Sequence, residues 1–186
     1  MSKLAAIILS SPRKGSNSNA LARAVAEGLV KAGGRVEFID LAGLDIKPCL
    51  ACGNCQSNGG RCSQVDGMRT AYPKLREASI LVLATPVYMF NMSAQLKTFL
   101  DRCYALLCPE DNAVAGKTLA AAISYGADDL ESSGAGNVVK SLQDLGRHTQ
   151  MSWAGFIHGR GLDRDALAQN GPLLEQARAL GAKLIG

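Results

Sequence analysis

Several features that would declare a function at once are missing from this chain. No apolar run reaches the roughly 18 residues that a membrane span needs. The first one, Leu4–Leu9, runs into Ser10-Ser11-Pro12 where a signal sequence would offer a small-residue cleavage site. It is expected to be a buried first strand of a cytoplasmic protein. Strong charge is missing too: the net charge is +4, and Lys and Arg are scattered along the chain. That weighs against nucleic acid and membrane as partners and leaves room for a small anionic ligand. Aromatic residues make up only 5% of the composition. The two histidines, His148 and His158, have neither a nucleophile nor further ligands near them in sequence, so both read as structural. Repeats, low-complexity tracts and linkers are also lacking. With 47% apolar residues, the 186-residue chain suits one domain, 1–186, around a substantial core.

What is present is a strict alternation. Short apolar runs predict strands over 4–9, 35–41, 79–86, 117–124 and 152–159. Helical spacing predicts helices over 19–33, 67–77, 93–107, 134–147 and 164–184, with Leu21, Val25 and Leu29 on one face of the first. Strands that are apolar throughout and alternate with helices imply an α/β fold, a parallel sheet covered on both faces. Ligands of such sheets sit beyond the carboxyl ends of the strands. The informative loops are therefore 10–18, 41–66, 85–92 and 124–134.

The first of these, "SSPRKGSNSN", opens a helix and carries hydroxyls, amides and two cations. Ser11, Arg13, Ser16, Asn17 and Ser18 can all reach phosphate oxygens at a helix N-terminus. A plain N-cap turn would need only Asn17 or Ser18. Gly15 is the loop's only glycine, so the Rossmann G-x-G-x-x-G is absent and a terminal monophosphate suits the loop better than a pyrophosphate. "AGKT" (115–118) imitates the end of a P-loop, but Asp111 stands where its first glycine belongs, and the segment reads as a turn into a strand. After the third strand, Tyr88, Met89 and Phe90 place an apolar wall beside the phosphate loop, with Asn91 or Ser93 free to cap the next helix.

Four of the six cysteines fall within "CLACGNCQSNGGRC", spaced C-x2-C-x2-C-x6-C. Cys49, Cys52, Cys55 and Cys62 could hold a cluster, as iron–sulfur centres commonly use four thiolates. They could equally be metal-free thiols, a zinc site or disulfide partners. Cys103 and Cys108 read as small buried hydrophobes.

Taken in order, "SSPRKGSNSNAL", "CLACGNCQSNGGRC" and "TPVYMFNMSAQLKTFLDR" resemble the NAD(P)H-dependent FMN reductase family and its iron-sulfur flavoprotein relatives. The resemblance extends over nearly the whole chain. Ser10-Ser11 stands where that family often has Gly-Ser, and "VDGM" (65–68) replaces a frequent Asp-Asp-Met. The resemblance implies a flavodoxin-like three-layer sandwich with a five-stranded parallel sheet in the order 2-1-3-4-5, and a cysteine-rich loop at 45–66. It implies FMN, its phosphate on Ser11, Arg13, Ser16, Asn17 and Ser18. Pro86, Val87, Tyr88, Met89 and Asn91 would line the ring system and ribityl chain, and Ser124, Tyr125 and Gly126 the other side of the ring. NAD(P)H would be the co-substrate, and a quinone, nitro compound, flavin or electron-carrier protein the acceptor. No catalytic residue is expected, since the flavin carries the chemistry. The resemblance further implies a homodimer or homotetramer. Its iron-sulfur branch implies instead an electron carrier with FMN and a [4Fe–4S] cluster on Cys49, Cys52, Cys55 and Cys62.

Overall fold

The computed structural model describes residues 2–186. In chain order the elements are β1 (Leu4–Leu9), α1 (Asn17–Lys31), β2 (Arg35–Asp40), α2 (Met68–Glu77), β3 (Ile80–Tyr88), β4 (Asn91–Met92) and α3 (Ala94–Arg102). They are followed by β5 (Leu107–Cys108), β6 (Asp111–Asn112), β7 (Thr118–Tyr125), α4 (Ala135–Thr149), β8 (Ser152–Arg160) and α5 (Gly171–Lys183). The five long strands pair in parallel in the order β2-β1-β3-β7-β8, which is the flavodoxin-like order expected from the resemblance.

Side-chain alternation along the strands divides the core in two. Leu4, Ala6 and Ile8 of β1 pack with Leu81 and Leu83 of β3 under α2, α3 and α4. Ala5, Ile7 and Leu9 pack with Val82 and Ala84 under α1 and α5. Strands buried on both faces have no polar side to show, which is why they read as unbroken apolar runs.

Several boundaries differ from the sequence reading by one or two residues, and three changes bear on the site or have a clear local cause. The third helix ends at Arg102 and continues as a 3-10 turn over Cys103–Leu106. The last helix begins at Gly171, not near 164, because Asn170 caps it through Leu173 N–H and Pro172 occupies its first turn. A separate 3-10 turn fills Ala166–Gln169. The third strand runs on to Tyr88 and folds back as the hairpin strand β4, with Val87 opposite Met92.

Candidate functional site

Four loops leave the carboxyl ends of β1, β3, β7 and β8 and meet around one cavity of about 220 Å³. Ser11, Arg13 and Ser16 line it from the loop after β1 and Asn17 from the start of α1, Pro86, Val87 and Tyr88 from the end of β3, and Ser124, Tyr125 and Gly126 from the end of β7 and just beyond it. These ten residues of the sequence-based site are thus brought together. Ser18, Met89 and Asn91 do not line the cavity. Ser18 is fully buried behind it, Met89 is 89% exposed at the hairpin tip, and Asn91 is exposed, its Oδ1 accepting from Met92 N–H.

The phosphate-type loop is held rigidly at its base. Ser10 donates to Ala84 O at 2.7 Å, and Ser93 donates back to Ser10 O at 3.2 Å, so β1, β3 and the start of α3 are tied together. The cap of α1 is Ser16, whose Oγ accepts from Asn19 N–H, rather than Asn17 or Ser18. The first-turn amides of Asn17 and Ser18 have no backbone acceptor, as the opening of a helix requires. Among the described residues, the buried Ser18 Oγ also lacks a partner. An anion set at this terminus would meet unpaired donors and the positive end of the helix dipole. The residues therefore fit a phosphate group, with the Arg13 guanidinium 5.8 Å from the Tyr88 ring centroid, bridging the first two loops.

Asn17 has another task. Its side-chain amide donates to Gly161 O at 3.2 Å and Asp163 O at 2.8 Å, and its Oδ1 accepts from Leu167 N–H at 2.9 Å. Both amide protons are spent on clipping the loop after β8 to α1, so only its backbone N–H is left for an anion. That fourth loop was overlooked in the sequence, yet Gly161, Leu162 and Arg164 line the cavity. Its signal was the "GRGLDR" stretch following the fifth strand. A Cβ on Gly161 would sit 2.3 Å from Asn17 Nδ2, so the clip requires glycine there.

The hairpin tip beside the cavity is strained. Met89 and Phe90 have φ of 47° and 63°, in the left-handed region usually left to Gly, Asn or Asp. Asn137 donates to Phe90 O at 3.1 Å and holds the tip in place. Tyr125 lines the cavity, and its Oη lies 2.9 Å from His158 Nδ1. Burial lowers the His158 pKa, because it penalises the charged ring.

The four clustered cysteines lie elsewhere. Cys49, Cys52, Cys55 and Cys62 all line a second cavity of about 650 Å³, together with Leu100, Arg102, Tyr104, Leu145 and His148. No residue lines both cavities. All six cysteines are free thiols in this structure. The donor chemistry suits a soft metal or a cluster, but among the described residues no three Cys, His, Asp or Glu are gathered closely enough to hold a metal ion. His148 belongs to this cavity's wall. Cys108 is buried and Cys103 is half-buried against the core, where desolvation pushes the Cys103 pKa up to about 12.

Residues 3–154 match a family model described as NADPH-dependent FMN reductase. An iron-sulfur flavoprotein of Methanocaldococcus jannaschii is 36% identical over 95 residues, which cover 51% of this chain and 49% of that protein. The chain thus matches about half the length of that relative. An iron-sulfur flavoprotein of Methanosarcina thermophila is 32% identical over 137 residues, 74% of this chain and 69% of that protein. Among solved structures, an NAD(P)H:quinone oxidoreductase from Methanothermobacter marburgensis shares the fold with a TM-score of 0.77 at 19% identity, covering 99% of this chain and 100% of that one.

Proposed function

From membership of the NADPH-dependent FMN reductase family, an FMN-dependent oxidoreductase family to which this chain belongs, we propose an NAD(P)H-dependent flavoenzyme that passes electrons from a nicotinamide through FMN to a small acceptor such as a quinone, a nitro compound or free flavin. The observation that carries this reading is the cavity where four strand-end loops meet at the unpaired N-terminus of α1. Ser11, Arg13, Ser16 and the backbone amides of Asn17 and Ser18 would hold the phosphate. Pro86, Val87 and Tyr88 would line one side of the flavin and Ser124, Tyr125 and Gly126 the other, with Met89 and Asn91 bordering its mouth. When bound, FMN supplies hydride acceptance and one- or two-electron release. The chain's own part is to bind, orient and shield it, and no side chain is assigned as acid or base. A homodimer or homotetramer, and a cytoplasmic location in keeping with six free thiols, complete the reading.

The test is FMN titration of the apo-protein followed by NADH and NADPH oxidation with a quinone as artificial acceptor. Saturable FMN binding that weakens at least about tenfold in Arg13→Ala is expected, since a charge-assisted phosphate contact is lost. A protein that binds no FMN and oxidises neither nicotinamide would overturn the proposal.

A second reading is an iron-sulfur electron carrier, with Cys49, Cys52, Cys55 and Cys62 holding a cluster beside FMN. It is supported by the single cavity that all four thiols line and by the names of the relatives. Protein purified without oxygen separates the two. About four irons per chain and a brown colour favour the carrier, and a yellow iron-free protein rules it out.

A further inference from the structure

The cysteine loop is fastened at both ends by one side chain. Arg102 closes α3, and its side chain is 1% exposed, with that of its ion-pair partner Asp66 fully buried. Arg102 Nη1 donates to Lys47 O at 2.7 Å and to Asp66 Oδ2. Nη2 donates to Asp66 Oδ1 at 3.1 Å and to Cys62 Sγ at 3.4 Å. Asp66 in turn accepts from Lys47 N–H and from Met68 N–H, each at 3.0 Å. Two further bonds zip the legs together, Gly67 N–H to Asp45 O at 2.7 Å and Gln64 Nε2 to Pro48 O at 3.0 Å. The incoming leg before Cys49 and the outgoing leg after Cys62 therefore converge on one guanidinium in the core.

The four sulfurs beyond this clasp are not equivalent. Cys49 Sγ accepts from Ala51 N–H, Cys52 Sγ lies 3.7 Å from Ser63 Oγ, and Cys55 Sγ meets Gln56 Nε2, all within the loop itself. Among the described residues, Cys62 is the only one of the four whose sulfur bonds to a side chain from outside the loop. Cys49 and Cys52 are exposed, and Ala51 between them carries a left-handed φ of 51°. The loop thus has one sulfur seated against a buried cation, one half-buried at Cys55 and two exposed at Cys49 and Cys52.

We propose that Arg102 is the positioning residue of this loop, holding Cys62 as its fixed sulfur, toward which Cys49, Cys52 and Cys55 close when a thiophilic metal centre is loaded. The closure rests on the iron-sulfur reading, and the anchoring does not. It accounts for four thiols lining one cavity without three being gathered. Closure moves the exposed segment of Cys49 and Cys52, with Cys55 beside the Gln56 bond to Tyr104 O at 2.9 Å, and releases thiol protons to solvent as sulfur–metal bonds form. A guanidinium donating to a ligand sulfur also belongs to the outer contacts that tune such centres.

The test is site-resolved alkylation with iodoacetamide, read by mass spectrometry on metal-free protein at about pH 10, where exposed thiols are ionised and rates report access. Wild type, Arg102→Met, Arg102→Lys and the double variant Arg102→Met with Asp66→Leu are compared. In wild type Cys62 reacts at least about tenfold more slowly than Cys52, as a half-buried bonded sulfur should. Arg102→Met brings the two rates together, and Arg102→Lys, which keeps the charge but not the fork, falls between them. The double variant removes the buried charges together and so regains stability, yet Cys62 stays fast, which a merely structural role would not produce. An unchanged ratio of Cys62 to Cys52 in the folded double variant overturns the anchoring.

Repeating the labelling with Cd²⁺ as the metal probe tests the closure. Joint protection of Cys49, Cys52, Cys55 and Cys62 is expected in wild type. Protection of the first three without Cys62 overturns the fixed-sulfur assignment. Protection of none overturns the closure and tells against the iron-sulfur reading, while the alkylation ratio still decides the role of Arg102.

Discussion

At the scale of single residues, the site is built from side chains held in costly or fully committed states. Met89 and Phe90 hold left-handed backbone angles at the tip of the β3–β4 hairpin, and both are exposed. Strain of this kind persists only where surrounding structure enforces it. Here Asn137 grips Phe90 O, and Gly134 makes room, since a Cβ there would come within 2.5 Å of Phe90 Cα. Phe90→Gly removes the left-handed penalty and is expected to raise stability by about 1 kcal/mol in urea denaturation. FMN affinity should stay within about twofold, since Phe90 does not line the cavity. Residue chemistry in the strand-end loops was legible: ten of the assigned positions line one cavity. What the letters could not show is that the Asn17 amide is already spent on residues roughly 150 positions away.

At the scale of elements, the α1–α5 pair shows how far periodicity carries. The faces formed by Leu21, Val25 and Leu29 and by Ala177 and Leu184 are buried as their spacing implies. How closely the helices approach depends on two glycines that pattern alone leaves unmarked. A Cβ on Gly28 would lie 2.0 Å from Arg178 O, and one on Gly181 would lie 2.0 Å from Val25 O. These neighbours are backbone, so the helices must separate to admit even a methyl group. Gly181→Ala is expected to destabilise the fold by about 2–3 kcal/mol, in the range of overpacked cores. An unchanged denaturation midpoint would show that α5 can slide without loss. Element boundaries were less legible than element identities. The start of α5 was settled by an Asn170 cap, whereas the apolar pattern ran on through the preceding 3-10 turn.

At the scale of the whole molecule, one end of the sheet carries a cavity suited to an anionic ligand, and the loop between β2 and α2 carries four thiols around a second cavity beside the end of α3. The buried Arg102–Asp66 pair joins the second region to the core. Burial opposes the charge of Asp66, but hydrogen bonds from Arg102 and from the Lys47 and Met68 amides outweigh it and hold its pKa below the ordinary carboxylate value. A carboxylate lowered in the folded state contributes stability that is complete above its unfolded pKa, about 3.9, and is lost as pH falls through the folded value. Urea midpoints of wild type should therefore drop, as pH falls below about 4, more steeply than those of Asp66→Asn. At pH 7 the variant, which leaves Arg102 buried with half its partner, should be less stable by about 3 kcal/mol. Equal acid sensitivity in the two proteins would remove Asp66 from this role.

Alternation of apolar runs and helical spacing determined the layers and the parallel sheet without any coordinates, because each depends on neighbours within a few residues. Loop composition likewise marked the strand ends where a phosphate and a flat ring could be held. Tertiary structure decided what those patterns cannot carry. It brought the loop after β8 into the cavity through Gly161 and Asn17, 144 positions apart. It also set the four cysteines in a separate cavity and chose Cys62, 40 positions from Arg102, as the sulfur against the buried cation. The physical reason is that hydrogen bonds and ion pairs between distant segments depend on where chain crossings place them, and a side chain's neighbours in space are not its neighbours in sequence.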